Sequence, residues 1–185
     1  MKIIPTRLKE VLLIEPQVFG DRRGYFLETY QRERYAAAGI DTVFVQDNIS
    51  FSQGNILRGL HFQNPQGQAK LVQVLEGEIY DVAVDVRHGS PTFGQWVGVT
   101  LSSADPRQLY IPKGFAHGFC VLSATALFNY KCGAYYAPRY ENGVCWNDPD
   151  LNIEWPVKDP VLSEKDQTFS RLKDLPPERL PVYEG

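Results

Sequence analysis

Four ionisable side chains in this sequence are suited to moving a proton to and from carbon. His61 is one of only three histidines, and because imidazole titrates near neutrality it could remove a proton at physiological pH. A carboxylate that fixes the tautomer of the ring improves such a base, and Asp166 is a candidate for that role. Tyr130 is protonated at neutral pH and can act as a general acid. The compact charge of Lys70 could stabilise an enolate oxygen.

Metal binding is the main alternative chemistry for the histidines. A mononuclear site needs several convergent nitrogen or oxygen ligands, and metal-binding cupin barrels place two of them in an H-x-H pair on one strand. Alternate side chains of a strand face the same side, so both would point inward. Here that position is occupied by His61-Phe62-Gln63, whereas residues 112–117 (PKGFAH) match the second cupin motif, P-x-G-x-x-H. The sequence therefore predicts a cupin-like barrel that holds no metal.

Each candidate also has an ordinary structural explanation when it is taken singly. His61 and His117 could be hydrogen-bonded histidines of a core or its rim. Tyr130 could be a half-buried strand residue, since the chain has ten tyrosines. Lys165 and Asp166 could be solvated residues at the start of a helix. Only the whole set of residues therefore indicates catalysis.

The elements that must hold these side chains are predicted to be short strands. Tyr80, Val82, Val84 and Val86 alternate with Asp81, Ala83 and Asp85, which is the two-residue period of a strand. Further strands are predicted at 43–50, 56–62, 70–75, 95–101, 108–111, 117–122 and 126–132, separated by turn residues. Many short strands at this spacing indicate an all-β, cupin-like jelly-roll sandwich or barrel.

A few short helices complete the prediction. Three consecutive alanines favour a helix from Tyr30 to Ala38, and Gly39 can supply the left-handed residue that ends it. A second short helix is predicted to start near Ser163. From about residue 171 the tail should be mostly irregular. Because no repeat or linker interrupts the 185 residues, a single domain spanning 1–185 is expected.

Composition narrows the range of partners. The net charge of −3 argues against a nucleic-acid-binding domain, which normally has a basic excess. No apolar run has the length of a membrane span or the pattern of a signal peptide, so the cytoplasm is the expected location. Cys120, Cys132 and Cys145 lack the C-x-x-C spacing of zinc or redox sites, and we expect no catalytic or metal role for them.

Taken in order along the chain, these residues and several others resemble one enzyme family. The runs are 19–28 (FGDRRGYFLE), 46–48 (QDN), 58–62 (RGLHF), Lys70, 112–119 (PKGFAHGF), 130–132 (YKC), 146–149 (WNDP) and 162–166 (LSEKD). From residue 3 to residue 170 this ordered set resembles the dTDP-4-dehydrorhamnose 3,5-epimerase family. The ordered set is far more specific than any of its members.

The resemblance implies a metal-free, cofactor-free jelly roll that forms a homodimer. Its substrate would be dTDP-4-keto-6-deoxy-D-glucose, epimerised at C3 and C5 on the route to dTDP-L-rhamnose. The resemblance also implies that His61 is the base, supported by Asp166, and that Tyr130 is the acid. Lys70 would face the ketone oxygen.

Substrate binding is implied for ten further residues. Arg23, Phe26 and Glu28 would reach the nucleotide from the partner subunit. Tyr136 would stack on thymine. The other residues of the sugar-nucleotide site would be Gln46, Asn48, Arg58, His117, Glu141 and Lys165.

Three competing functions remain open on the sequence alone. A related enzyme could invert only C3 or C5 in a specialised deoxysugar pathway, although Tyr130 favours inversion at both. A metal-dependent cupin is disfavoured by Gln63. A module that binds a sugar nucleotide without turnover would not need His61 as a base. The choice between dTDP and UDP is also open.

Overall fold

Strands account for most of the chain up to residue 143. The computed structural model describes residues 1–185. Its strands are β1 Lys2–Pro5, β2 Leu12–Glu15, β3 Val18–Asp21, β4 Gly24–Leu27, β5 Gln46–Gln53, β6 Leu57–Gln63, β7 Lys70–Glu76, β8 Glu78–Asp85, β9 Trp96–Ser102, β10 Gln108–Ile111, β11 Phe115–Val121, β12 Thr125–Cys132 and β13 Glu141–Gly143. The single α-helix, α1, spans Arg32–Ala37, and 3-10 turns occupy Pro138–Tyr140, Asp166–Thr168, Leu172–Asp174 and Pro177–Arg179.

Two antiparallel sheets form the body of the molecule. The larger has the strand order β1-β2-β10-β7-β12-β5, and the smaller has the order β13-β6-β11-β8-β9. β3 and β4 pair only with each other and form a separate hairpin. The predicted all-β, cupin-like sandwich is confirmed.

The largest apolar cluster lies between the two sheets. It takes inward-facing residues from both, such as Val72 and Phe128 from the larger sheet and Ala83 and Phe119 from the smaller. Burying an aliphatic or aromatic side chain of this kind contributes roughly 1.5–3 kcal/mol. Because strand side chains alternate, the polar residues at the same parity on these strands must also point into the sandwich. The candidate site is therefore expected among these inward-facing polar residues.

The outer faces of both sheets are covered as well. On the larger sheet, Tyr35 of α1 and Ile40 pack against Ile14 and Leu71. On the smaller sheet, outward residues of β6, β8 and β11 pack against Val144, Leu151, Leu172 and Leu180. The region after β13 therefore forms a third layer, although it contains little regular structure.

A close approach between β6 and β11 brings two histidines to the same level. His61 and His117 are register partners, and a bulge follows His117. At Gly118 an added Cβ would lie 2.7 Å from the carbonyl oxygen of Arg58. This spacing is possible only because Gly118 has no side chain.

The sequence located the central strands within a few residues but missed several elements. The four N-terminal strands and β13 were not predicted. The predicted helix at 30–38 is confirmed in part, since α1 spans Arg32–Ala37, and Gly39 has the expected positive φ of 90°. The helix predicted from Ser163 was wrong, because only the 3-10 turn Asp166–Thr168 forms there. No helix in the structure combines the length and apolar character needed to cross a membrane.

Candidate active site

A cavity of about 250 Å³ opens at one end of the sandwich and is lined by both sheets. The larger sheet contributes Gln46, Asn48, Lys70, Tyr130 and Cys132. The smaller sheet contributes His61, Phe62, Gln63, Phe115 and Glu141, and connecting segments add Gln68, Gly114 and Tyr136. Seven of the fourteen predicted site residues line this cavity directly.

His61 and Asp166 form a hydrogen-bonded pair at the cavity wall. The His61 Nε2–H donates to Asp166 Oδ1 at 2.6 Å, and the Gly59 amide donates to Oδ2 at 3.3 Å. Burial alone would raise the pKa of Asp166, but these hydrogen bonds outweigh burial and the pKa lies below its ordinary value. An ionised Asp166 keeps the ring proton of neutral His61 on Nε2 and leaves Nδ1 free to accept a proton.

The remaining contacts of this pair fix the orientation of the imidazole. Phe169 meets the ring of His61 edge to face, with centroids 5.6 Å apart. The Ser163 hydroxyl accepts a hydrogen bond from the Asp166 amide at 3.1 Å. Asp166 is 3% exposed, whereas the side chain of His61 is 27% exposed. The carboxylate is therefore sealed from water while the ring reaches the cavity.

A second histidine–carboxylate pair supports Lys70. His117 Nε2–H donates to both oxygens of buried Asp81 at 3.0 Å, and the Nδ1 atom of His117 accepts from Lys70 Nζ at 3.3 Å. Burial lowers the pKa of His117, although the carboxylate of Asp81 opposes this effect. Burial also lowers the pKa of Lys70. A neutral His117 thus connects a buried carboxylate to a lysine that faces the cavity.

Tyr130 lies on the wall opposite His61. It is on β12 of the larger sheet, paired with Asn48 of β5 and Val72 of β7. Its hydroxyl makes no hydrogen bond within the chain, and burial raises its pKa above the ordinary value for tyrosine. A protonated hydroxyl is therefore available to the cavity at neutral pH.

Three predicted residues form a hydrogen-bonded rim. The Tyr136 hydroxyl donates to Glu141 Oε2 at 2.8 Å, and Lys165 Nζ donates to Glu141 Oε1 at 2.7 Å. Burial would raise the pKa of Glu141, but these two donors lower it overall. The hydrogen bond to Glu141 raises the pKa of Tyr136. Deeper in the cavity, Gln46 Nε2 donates to Asn48 Oδ1 at 3.0 Å.

Of the seven predicted residues that do not line the cavity, three hydrogen-bond to residues that do, namely Asp166, His117 and Lys165, and the other four lie outside it. Arg58 donates to Ser52 Oγ at 3.0 Å, and its positive charge opposes the rise that burial causes in the pKa of Tyr130. The hairpin and the segment after it hold the other three. Arg23 forms an ion pair with Asp21, Phe26 is exposed, and Glu28 forms an ion pair with Arg34. The expectation that these three serve the partner subunit stays a prediction.

Asp81 is the main residue that sequence reasoning missed. It has the same parity on β8 as Ile79 and Ala83, which face the core. A fully buried acidic residue at a core parity could have been noticed as a candidate. No group of three or more His, Cys, Asp or Glu side chains is placed to hold a metal ion.

The comparisons with known proteins agree on one family. The family model described as dTDP-4-dehydrorhamnose 3,5-epimerase matches residues 5–174. Relatives with that name include a protein from Shigella flexneri, 53% identical over 94% of this chain and 97% of its own length. Another, from Pseudomonas aeruginosa, is 54% identical over the same shares of the two chains.

Solved structures lead to the same result. The crystal structure of dTDP-6-deoxy-D-glucose-3,5-epimerase from Legionella pneumophila Philadelphia 1, in complex with dTDP-4-keto-L-rhamnose, has a TM-score of 0.97 to this structure. It is 54% identical, and the match covers 100% of this chain and 99% of that one. Together with the family model, these matches show that this chain belongs to the dTDP-4-dehydrorhamnose 3,5-epimerase family of isomerases.

Proposed function

We propose that this enzyme converts dTDP-4-dehydro-6-deoxy-D-glucose to dTDP-4-dehydro-L-rhamnose by inverting C3 and C5. The observation that carries the proposal is the placement of His61 and Tyr130 on opposite walls of one cavity. Inversion at carbon requires a proton to leave from one face and another to arrive at the opposite face. A base and an acid on facing sheets meet that requirement without a redox step.

The proposed reaction begins with proton removal. Nδ1 of His61 accepts the proton from the carbon next to the C4 ketone. The C–H electron pair forms a double bond between that carbon and C4, and the C4=O π pair moves onto oxygen to give the enolate. Asp166 stabilises the imidazolium that results. General-base catalysis of this kind is worth about 10²–10⁴-fold in rate.

Lys70 is proposed to stabilise the enolate oxygen. A cation in a site shielded from water interacts with developing negative charge far more strongly than it would in water. Asp81 and His117 keep the ammonium in place through the contacts described above. His117 would therefore support the cation, in addition to any contact with the sugar nucleotide.

Reprotonation would complete each inversion. The Tyr130 hydroxyl gives its proton to the opposite face of the same carbon. The C=C pair of the enolate forms the new C–H bond, and a lone pair on the enolate oxygen re-forms the C4=O bond. The proton now held by His61 and the proton lost by Tyr130 are exchanged with solvent before the second centre reacts. Each step balances without a metal or a cofactor.

Nucleotide binding is proposed to involve a second subunit. The hairpin exposes Phe19, Tyr25 and Phe26, and the outer face of β5 exposes Ile49 and Phe51. Apolar residues grouped on a surface in this way are typical of an interface. In a homodimer the hairpin would carry Arg23, Phe26 and Glu28 to the partner's cavity, where the guanidinium of Arg23 could pair with the diphosphate. The cytoplasm stays the expected location.

Isotope labelling tests the reaction. We expect deuterium from heavy water to enter both C3 and C5 of the 4-keto sugar nucleotide, as followed by NMR, with no effect of a chelator. Label at one carbon alone would support the single-centre alternative, and loss of labelling with chelator would support a metal-dependent cupin. His61→Asn should reduce labelling by about 10²–10⁴-fold. His88→Asn is the matched control, because His88 is exposed and outside the cavity.

Coexpression of two inactive variants tests the sharing of residues between subunits. If Arg23 serves the partner's site, a dimer of one His61→Asn subunit and one Arg23→Ala subunit contains one intact site. Random association should then restore about a quarter of the wild-type sites. No recovery of activity would mean that Arg23 acts within its own subunit, whereas an Arg23→Ala enzyme that is fully active by itself would mean that Arg23 is not needed.

A further inference from the structure

The segment Ala134–Ala137 forms part of the cavity rim without belonging to a strand. β12 ends at Cys132 and β13 begins at Glu141. Between them, the only backbone hydrogen bond that involves residues 134–137 is the local turn from Tyr140 N to Ala137 O. Sheet pairing therefore cannot hold Tyr136 at the cavity, and another set of contacts must do so.

Three glutamine side chains supply those contacts. Gln68 Nε2 donates to the Ala134 carbonyl at 2.7 Å, and the Tyr136 amide donates to Gln46 Oε1 at 3.0 Å. Gln63 makes two contacts, because its Nε2 donates to the Tyr135 carbonyl at 3.3 Å and its Oε1 accepts from the Ala137 amide at 2.8 Å. Four consecutive residues are thus held by amide side chains. We call this arrangement the glutamine clamp.

Gln63 is the central member of the clamp. It is 4% exposed, and it is the only one of the three that holds the backbone on both sides of Tyr136. Its second amide hydrogen donates to the Gln66 carbonyl at 3.0 Å, so the amide uses both its donors and its acceptor. No residue of similar size without an amide can reproduce this pattern.

The clamp also affects the residues next to the base. Tyr136 donates to Glu141, Glu141 accepts from Lys165, and Lys165 directly precedes Asp166. Gln63 itself is on the same face of β6 as His61, two residues further along. Movement of residues 134–137 would therefore open the cavity wall beside His61. The His61–Asp166 pair would stay in contact, because Gly59, Ser163 and Phe169 hold it independently of the clamp.

We propose that Gln63 is a positioning residue, which holds Tyr135–Ala137 so that Tyr136 closes the wall of the sugar-nucleotide site. The inference rests on the proposed function only for the identity of the ligand. Because the clamp acts on the shape of the site, its loss should weaken binding more than it slows proton transfer. A misplacement of about 1 Å in such a wall can cost about 100-fold in kcat/KM.

Hydrogen exchange tests the clamp without any assay of activity. In Gln63→Met we expect faster amide exchange in peptides covering 133–140, with exchange in β8 and β9 unchanged. Gln63→Glu keeps the acceptor for Ala137 but loses the donors, so it should give a smaller effect and provides a second variant if Gln63→Met folds poorly. Gln95→Met is the control, since Gln95 is exposed and its side chain makes no hydrogen bond. Unchanged exchange at 133–140 in both Gln63 variants would overturn the proposal.

A double-mutant cycle tests whether Gln63 acts through Tyr136. The Kd for dTDP-glucose, measured by calorimetry, should rise about 10-fold or more in Gln63→Met and in Tyr136→Ala, and the double variant should lose little beyond either single one. Additive losses would refute the positioning role. The result is independent of catalysis: if the wild type binds dTDP-glucose but labels neither C3 nor C5, the proposed function fails while the clamp still stands.

Discussion

Replacing Asp166 with asparagine tests whether the carboxylate sets the tautomer of His61. Both oxygens of Asp166 accept hydrogen bonds, one from His61 Nε2 and one from the Gly59 amide, and at 3% exposure no water can replace them. Asparagine has one oxygen for these two donors. If that oxygen serves Gly59, the amide N–H faces Nε2 and forces the ring proton onto Nδ1. The atom proposed to act as base is then blocked.

The expected loss follows from this geometry. The variant keeps the shape of the side chain, so KM should change by less than about 3-fold. The kcat should fall by most of the value of general-base catalysis, about 10²–10⁴-fold. That range corresponds to ~2.7–5.4 kcal/mol of activation free energy.

The assay is the rate of deuterium entry at C3 and C5, measured alongside steady-state turnover. Asp150→Asn is the matched control, since Asp150 is exposed and its ion pair with Lys173, at 2.8 Å, lies at the surface. An Asp166→Asn enzyme that keeps more than about a tenth of the wild-type kcat would refute the tautomer argument. A large rise in KM with little change in kcat would instead assign Asp166 to substrate binding.

Two further predictions concern acid catalysis and stability. Tyr130→Phe removes the proposed proton donor and should lower turnover about 10²-fold or more, whereas Tyr135→Phe, with an exposed side chain, should not; equal activities would remove the acid role. Burial opposes ionisation of Asp85, but the hydrogen bonds from Arg87 and two hydroxyls dominate and lower its pKa. Because the folded pKa is below the unfolded value of about 3.9, this stabilisation is present above pH ~4 and is lost as the pH falls through the folded pKa. Asp85→Asn should therefore lower the free energy of unfolding at pH 7 by about 3 kcal/mol and flatten its decline below pH 4, as followed by urea denaturation; a pH profile parallel to that of wild type would contradict this.

Local pattern was sufficient to predict the central strands. In β8 the alternation of Val82 and Val84 with Ala83 marks two buried faces, and the structure assigns those residues to two different clusters. The N-terminal strands were not predicted because none of their four-residue segments alternates clearly between polar and apolar residues, as the equally short β10 does. The helix signal at Ser163 is present in the structure, because its hydroxyl accepts a hydrogen bond from the Asp166 amide as an N-cap residue would. Only a 3-10 turn follows, and its two ends are committed to tertiary contacts, since Asp166 accepts a hydrogen bond from His61 and Phe169 packs on Gly143.

The catalytic residues were predicted from the order of the motifs along the chain more than from the spacing within any one motif. His61 and Asp166 are separated by 105 residues, and no local rule joins them. Asp81 and the glutamine clamp could not be foreseen, because they depend on which side chains meet across the sandwich. In the sequence, Gln63 stands out only because it takes the position of a metal-binding histidine. Its hydrogen bonds to the Tyr135 carbonyl and the Ala137 amide are evident only in three dimensions.

The layer outside the smaller sheet has a consequence for how the enzyme can lose activity. Asp166 and Phe169 both lie after β13, in a region held by 3-10 turns and by single contacts such as the Cys145 amide to the Ser170 carbonyl. Segments of this kind open with lower free energies than paired strands. Such an opening would take the carboxylate away from His61 while both sheets stay folded. Moderate urea should therefore abolish turnover before it exposes the core, so inactivation would report a sub-global opening of residues 163–174.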